Sequence, residues 1–188
     1  INYVEIPGEA AFYGPKIDFH VKDALQRDHQ LATIQLDFVL PERFKLKYIS
    51  EDGSEQHPVM IHRAILGSLE RFFGVFLEHC GGDFPLWLAP VQIAILPVSE
   101  KVRDYAENLT QELKAAGFRV QLDDKADKIG AKIRQAELSK INVMLITGEK
   151  EAAAGTVSVR RRLQGDLGGM EVKELVGMLN DEIQNRSS

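Results

Sequence analysis

Two tandem domains are predicted over the 188 residues: a strand-then-helix domain at 1–88 and an α/β domain with a mixed sheet at 89–188. Three observations lead there. Period-two alternation dominates the first part, where Ile17, Phe19 and Val21 alternate with polar neighbours, the pattern of half-buried strands. "FPLWLAPVQ" is stiffened by Pro85 and Pro90 and holds no strong period, which sets the boundary near Leu88. Beyond it strand and helix patterns succeed one another, as in a layered α/β unit.

The elements follow in order. Lys16–Lys22 reads as a strand and 23–28 as a connection. In "HQLATIQLDF" Ala32, Ile34, Leu36 and Phe38 share one face, expected to be core, while Thr33, Gln35 and Asp37 share a polar one. Asp52-Gly53 makes a turn. "PVMIHRAILGSLERFFGVFLEH" begins as a strand and changes period at Gly67-Ser68. Leu69, Phe72, Phe73, Phe76 and Leu77 then keep helical spacing and are expected to fill a core; Ser68 is placed as N-cap and Gly81-Gly82 as the stop. The second part reads as strand "QIAILPV", a helix from Ser99 to Ala116, strand "FRVQL", a helix at Lys128–Leu138, strands "NVMLITG" and "TVSVRR", and a last helix from about Glu171. Val102, Tyr105, Ala106, Leu109, Leu113 and Ala116 form the first helix's apolar stripe.

Composition narrows the function. No run approaches the roughly 18 apolar residues of a membrane helix and no leader pattern is present, so a cytoplasmic protein without a membrane partner is expected. The single cysteine, Cys80, excludes an internal disulfide and a Cys-x-x-Cys zinc site. Residues 1–88 hold 8 Lys+Arg against 13 Asp+Glu and residues 89–188 hold 15 against 15, so the deficit of 5 lies in the first part. RNA binding would need a local patch, for which Arg160-Arg161-Arg162 and the lysines near 125–140 are the candidate. The chain starts at Ile1, which suggests a piece of a longer protein.

A strand carrying His62, followed by a Gly-Ser turn and a helix with Arg71 in its first turn, can aim both groups at one end of a sheet. First-turn N–H groups favour an anion, and a guanidinium grips phosphate or stacks on a base. Taken singly, Arg71 is more simply read as paired with Glu70 or another surface acid, and His62 as a satisfied core histidine.

Read together, "GEAAFYGPKIDF", "TIQLDFVLPERF", "PVMIHRAILGSLERF" and "PLWLAPVQ" resemble the threonyl-tRNA synthetase family over essentially the whole chain. The resemblance implies the later part of an antiparallel-sheet class II synthetase catalytic domain (α+β), followed by an α/β anticodon-binding domain with a mixed sheet. It implies ATP-dependent activation of threonine and transfer to tRNA, with ATP accompanied by Mg2+, a zinc ion, and a homodimer in the complete enzyme. Gly67 to Arg71 look like motif 3, whose arginine binds ATP, so Arg71 takes a catalytic and ATP-binding role. Lys16 matches a further catalytic position and Gln30 an ATP-side one. Tyr13, Thr33, Gln35 and Ser68 match threonine-binding positions, and His62 one of three protein zinc ligands. Lys128, Glu151 and Arg160 match positions that read anticodon bases. His29, Leu31 and Ala126 depart from the tryptophan, cysteine and polar residue common in the family.

These residue types suit the chemistry, because adenylate formation asks for positioning and charge stabilisation more than covalent catalysis. A metal with an open position can engage the threonine hydroxyl that valine lacks. The family's motifs 1 and 2, its remaining zinc ligands and its editing domain have no counterpart among these residues, so the chain alone is expected to be inactive. The rival reading is a non-enzymatic RNA- or partner-binding paralogue that keeps the anticodon-binding domain.

Overall fold

A computed structural model describes residues 3–186. The chain forms two compact units, Ile1–Gly81 and Gly82–Ser188. The predicted boundary at Leu88 lies a few residues further on; Leu86 belongs to the second unit's core, and its carbonyl accepts a bond from buried Gln92.

The first unit carries strands β1 (Lys16–Lys22) and β2 (Asp28–Asp37), a short helix α1 (Val39–Arg43), a small hairpin of β3 (Tyr48–Ile49) and β4 (Glu55–Gln56), strand β5 (Met60–Ala64) and helix α2 (Leu69–Cys80). β1, β2 and β5 make an antiparallel sheet with β2 in the middle. Ser68 caps α2 by accepting the Arg71 amide, and Gly81 ends it in the left-handed conformation at φ 57°, as the sequence predicts.

The expected core of this unit differs. The apolar faces of β1, β2 and β5 are open, with Ile17 60% and Ile61 61% exposed, and α2 buries none of its residues. Among the described residues of this unit only Asp23, Asp37 and Pro41 are buried. The alternation is real, since Ile17 pairs with Ile34 and Leu36 with Ile61. A sheet face becomes a core only when a second layer packs on it, and the unit's described residues hold no such layer.

The second unit is closed on both faces. Strands β6 (Ile93–Pro97), β7 (Val120–Leu122), β8 (Val143–Thr147), β9 (Thr156–Arg161) and β10 (Gly165–Glu171) form one sheet in the order β10-β9-β8-β6-β7. β6 runs parallel to β7 and β8, while β9 and β10 are antiparallel, which gives the predicted mixed sheet. Helices α3 (Arg103–Ala115) and α6 (Val172–Gln184) bury Leu109, Leu113, Leu175 and Leu179 against Ile93, Ile95, Val143 and Leu145. Helix α4 (Ile129–Leu138) lies against Ala94, Leu96 and Met144 on the other face. Both faces of β6 are buried, so its sequence is apolar throughout instead of alternating. A short helix α5 (Glu149–Ala154) joins β8 to β9. The predicted Ser99–Ala116 helix begins as a 3-10 turn, and Ala116 at its end is exposed, so the stripe stops at Leu113.

Candidate functional site

The polar side of β2 organises the first unit's candidate site. Gln35 lies opposite Lys16 on β1 and His62 on β5, so three of the predicted residues form one row across the sheet. Tyr13 joins that row, its hydroxyl donating to Gln35 Oε1 and its ring meeting the His62 ring edge-on at 5.8 Å. The chain before β1 can lie this close because Gly14 has no side chain: a methyl group there would sit 2.3 Å from Leu36 O. Backbone bonds from Leu36 N to Pro15 O and from Phe38 N to Tyr13 O hold the segment in place.

Next along the sheet, Asp37 is fully buried, and its Oδ2 lies 2.8 Å from His62 Nε2. Its Oδ1 accepts the amides of Val39 and Leu40 and so starts α1. Burial pushes this carboxyl up, but the Leu40 amide, His62 and the Val39 amide outweigh it and hold the group below the ordinary carboxylate range. With Nε2 engaged, Nδ1 is the ring atom left for a ligand, the arrangement in which a carboxylate orients a metal-binding imidazole. His62 fits the role of one metal donor. Among the described residues no group of three His, Cys, Asp or Glu side chains gathers to hold a metal.

The other end of β2 is shaped by a register shift between Phe19 and His20: Phe19 pairs with Ala32, but His20 pairs with Gln30, leaving Leu31 unpaired. Such a bulge reverses the side-chain parity, so Gln30 joins the Thr33 and Gln35 face. There Gln30 Nε2 and Thr33 Oγ1 both donate to Asp18 Oδ1, at 2.7 and 2.6 Å, and Lys16 Nζ lies 2.8 Å from Asp18 Oδ2. Bonding to Lys16 and Thr33 holds the Asp18 carboxyl low despite some burial, and the Asp18 bond raises Lys16. Asp18 therefore ties together three predicted residues, yet sequence reading missed it. Its place on the polar face of an alternating strand was the available signal.

The Gly67-Ser68 turn docks on the same bulge. Gly67 has φ 64°, and a methyl group there would meet Leu31 O at 3.0 Å, so glycine serves both the left-handed backbone and the close approach. Arg71 Nη1 lies 3.4 Å from Gln30 O, which connects the exposed guanidinium to the Asp18 cluster through one residue. Ser68 spends its hydroxyl as acceptor for the Arg71 amide, so its visible role is to set that helix start.

In the second unit the predicted residues do not form one cluster. Lys128 is exposed at the N-cap of α4, and Glu151 stands in the first turn of α5 with Oε2 accepting the Gly148 amide. Both follow the carboxyl ends of parallel strands, the edge where open α/β sheets bind ligands. Arg160 lies elsewhere: it pairs with Met144 early in β8, and its Nε is 3.5 Å from Glu137 Oε1, near the far end of α4. Lys128 and Glu137 are about 13 Å apart along that helix at 1.5 Å per residue. Arg160 Nε is buried without a hydrogen bond, so charge alone links it to Glu137. The triple-arginine patch is largely neutralised, with Arg161 paired to Glu182 and Arg162 to Asp83.

Residues 3–80 match the tRNA synthetase class II core domain (G, H, P, S and T) family, and residues 92–182 match the anticodon binding domain family. The chain is 57% identical over 187 residues to a threonine–tRNA ligase of Prosthecochloris aestuarii and 56% identical over 179 residues to one of Finegoldia magna, covering 28% of each. It superposes on the crystal structure of the RNA binding domain of threonyl-tRNA synthetase from Cryptosporidium parvum with a TM-score of 0.87 and 45% identity, covering 93% of this chain and 44% of that one. A putative threonyl-tRNA synthetase from Aeropyrum pernix gives a TM-score of 0.70 at 32% identity, covering 97% and 45%. The fold is thus a class II core part with an antiparallel sheet followed by an anticodon-binding domain with a mixed one. With both domains present in this order and more than half of its residues shared with named ligases, the chain belongs to the threonine–tRNA ligase family, spanning about 28% of the length of those relatives.

Proposed function

We propose that this chain serves a cytoplasmic threonine–tRNA ligase that joins threonine to ATP as threonyl-adenylate and then transfers the threonyl group to tRNA. The observation that carries the reading is the gathering of Tyr13, Lys16, Thr33, Gln35 and His62 on one side of the β1-β2-β5 sheet, with Arg71 bonded to the backbone of the same central strand. On this reading the Gln35 amide and the Tyr13 hydroxyl orient threonine, and Asp18 holds Lys16, Gln30 and Thr33 in position around it. Arg71 grips ATP, which enters with Mg2+, and its fixed charge meets the negative charge that builds on the phosphates. His62 would hold a zinc ion through Nδ1, with Asp37 fixing the ring. Zinc bound there supplies a Lewis-acid position suited to the amino and hydroxyl groups of threonine. Lys128, Glu151 and Arg160 read anticodon bases from the second unit, and the complete enzyme acts as a homodimer.

The test is amino-acid-dependent ATP–pyrophosphate exchange by the complete ligase, run with threonine, serine and valine alongside zinc analysis. Exchange with threonine above the other two, in a zinc-containing protein, is expected. Loss of all exchange with retained tRNA binding would instead favour a binding paralogue. The 188-residue chain alone is expected to give no exchange.

A further inference from the structure

The connection between β7 and α4, residues 123–128, carries Lys128 and is held at both ends by one residue. Lys132, at the end of the first turn of α4, is 4% exposed. Its backbone N–H takes Lys128 O at 3.2 Å, and its Nζ lies 3.1 Å from Asp123 O. A further bond from Nζ, again 3.1 Å, reaches Pro97 O at the end of β6. Asp123 is also tied to β6 through its own amide to Ile95 O, and its Oδ1 receives the Lys125 amide. None of the ion pairs among the described residues involves Lys132.

Burying an amino group without a carboxylate partner is unfavourable unless its donors are used. An apolar residue of equal length would fill the space, but would leave two carbonyls without that donor. The gain from lysine here is therefore the shape of the connection. Above it lies a cleft of about 180 Å3 bordered by Ser99, Glu100, Asp124, Ala126 and Asp127, at the carboxyl edge of β6 and β7. We infer that Lys132 is a positioning residue for RNA recognition: it sets the path of 123–128 and thereby the place from which Lys128 meets the RNA. This rests on the reading of Lys128 given under the proposed function.

The experiment uses the 188-residue chain and two synthetic hairpins, a threonine anticodon stem–loop and one with its anticodon bases replaced. Affinities for both are measured by fluorescence anisotropy, well below the melting temperature of each variant. Lys132→Met is expected to weaken the cognate hairpin about tenfold and to compress the preference between hairpins. Lys132→Gln, which keeps an N–H donor for one of the two carbonyls, is expected to fall between Met and wild type, and it decides the matter if Lys132→Met does not fold. Lys128→Ala combined with Lys132→Met should bind no worse than about twofold below Lys128→Ala alone, because Lys132 acts through Lys128. A purely structural role would lower the melting temperature and leave the preference intact, and that result, or effects that multiply in the double variant, overturns the inference. If the wild-type chain shows no preference, or Lys128→Ala binds like wild type, the underlying reading of Lys128 fails, and the inference fails with it; a normal Lys128→Ala loss beside an unaffected Lys132→Met fails the inference alone.

Discussion

His62 Nε2 lies 2.8 Å from Asp37 Oδ2, and the other oxygen of the same buried carboxylate starts α1 by accepting the Val39 and Leu40 amides. One side chain thus serves the fold and orients the proposed metal donor, and two substitutions separate these duties. Asp37→Ala removes the helix start as well as the histidine partner and is expected to lower Tm by roughly 5 °C. Asp37→Asn keeps an oxygen for the amides and should melt closer to wild type. Both should reduce zinc affinity of the complete ligase by about 10–100-fold, read by titration against a chelator. Normal zinc binding by Asp37→Asn would remove Asp37 from the proposed site.

Gly67→Ala tests the docking of the arginine-bearing turn on the β2 bulge. An L-residue at φ 64° costs about 1–2 kcal/mol, and the added methyl presses on Leu31 O. Relief requires the turn to move, and Arg71 moves with it. A higher KM for ATP, with the KM for threonine changed less, is expected in pyrophosphate exchange. Equal changes in both constants would show that the turn does not set Arg71 separately.

Asp18→Asn removes the charge that gathers Lys16, Gln30 and Thr33 while keeping the side-chain shape. Weakening those contacts should raise the KM for threonine about tenfold, the equivalent of roughly 1.5 kcal/mol of charge-assisted hydrogen bonding. Thermal melting gives the control, since a fall in Tm without a change in KM would assign Asp18 to stability alone.

Much of this arrangement was legible in the sequence, and the reasons it was not wholly so are local. Alternation gave β1 and β2 and the shared face of Thr33 and Gln35, because side-chain parity is a property of the strand itself. Gln30 belongs to that face only through the unpaired Leu31, and no residue pattern announces a bulge of this kind. The turn, cap and stop of α2 followed from Gly67, Ser68 and Gly81, whose backbone preferences are intrinsic. Burial failed for Ile17, Phe73 and Leu77 because it depends on what packs against an element, which periodicity does not specify. Strand β10 was missed because Gly165, Gly168 and Gly169 leave it almost without an apolar period.

Acid should expose the role of Asp23. Burial raises its carboxyl, but His29, the Arg27 amide and guanidinium, and the Leu25 amide together hold it far below the ordinary value of 3.8. A depressed folded-state pKa means stability that is present above the unfolded value and lost as pH falls toward the folded one. In melts from pH 6 to pH 2 the wild-type Tm should therefore fall more steeply below about pH 4 than that of Asp23→Asn, and the gap between them should narrow. Parallel curves would show that the network around Asp23 adds nothing to folding.

Glu151 offers the sharpest separation of structure from recognition in the second unit. Its Oε2 accepts the Gly148 amide at 2.9 Å, and a methyl group at Gly148 would lie 2.7 Å from that oxygen. The carboxylate thus folds back over its own helix start, a place only a residue without a side chain leaves open, and Oε1 remains to accept a base N–H. Glu151→Gln retains an oxygen for the amide, so its Tm should stay within about 1 °C of wild type while affinity for the cognate hairpin falls. Gly148→Ala leaves the charge in place but pushes the carboxylate out of position, so affinity should fall although Glu151 itself is unchanged. If Glu151→Gln binds like wild type and Gly148→Ala does not, the contact depends on the shape of the α5 start and not on the carboxylate, because the two variants alter charge and placement independently.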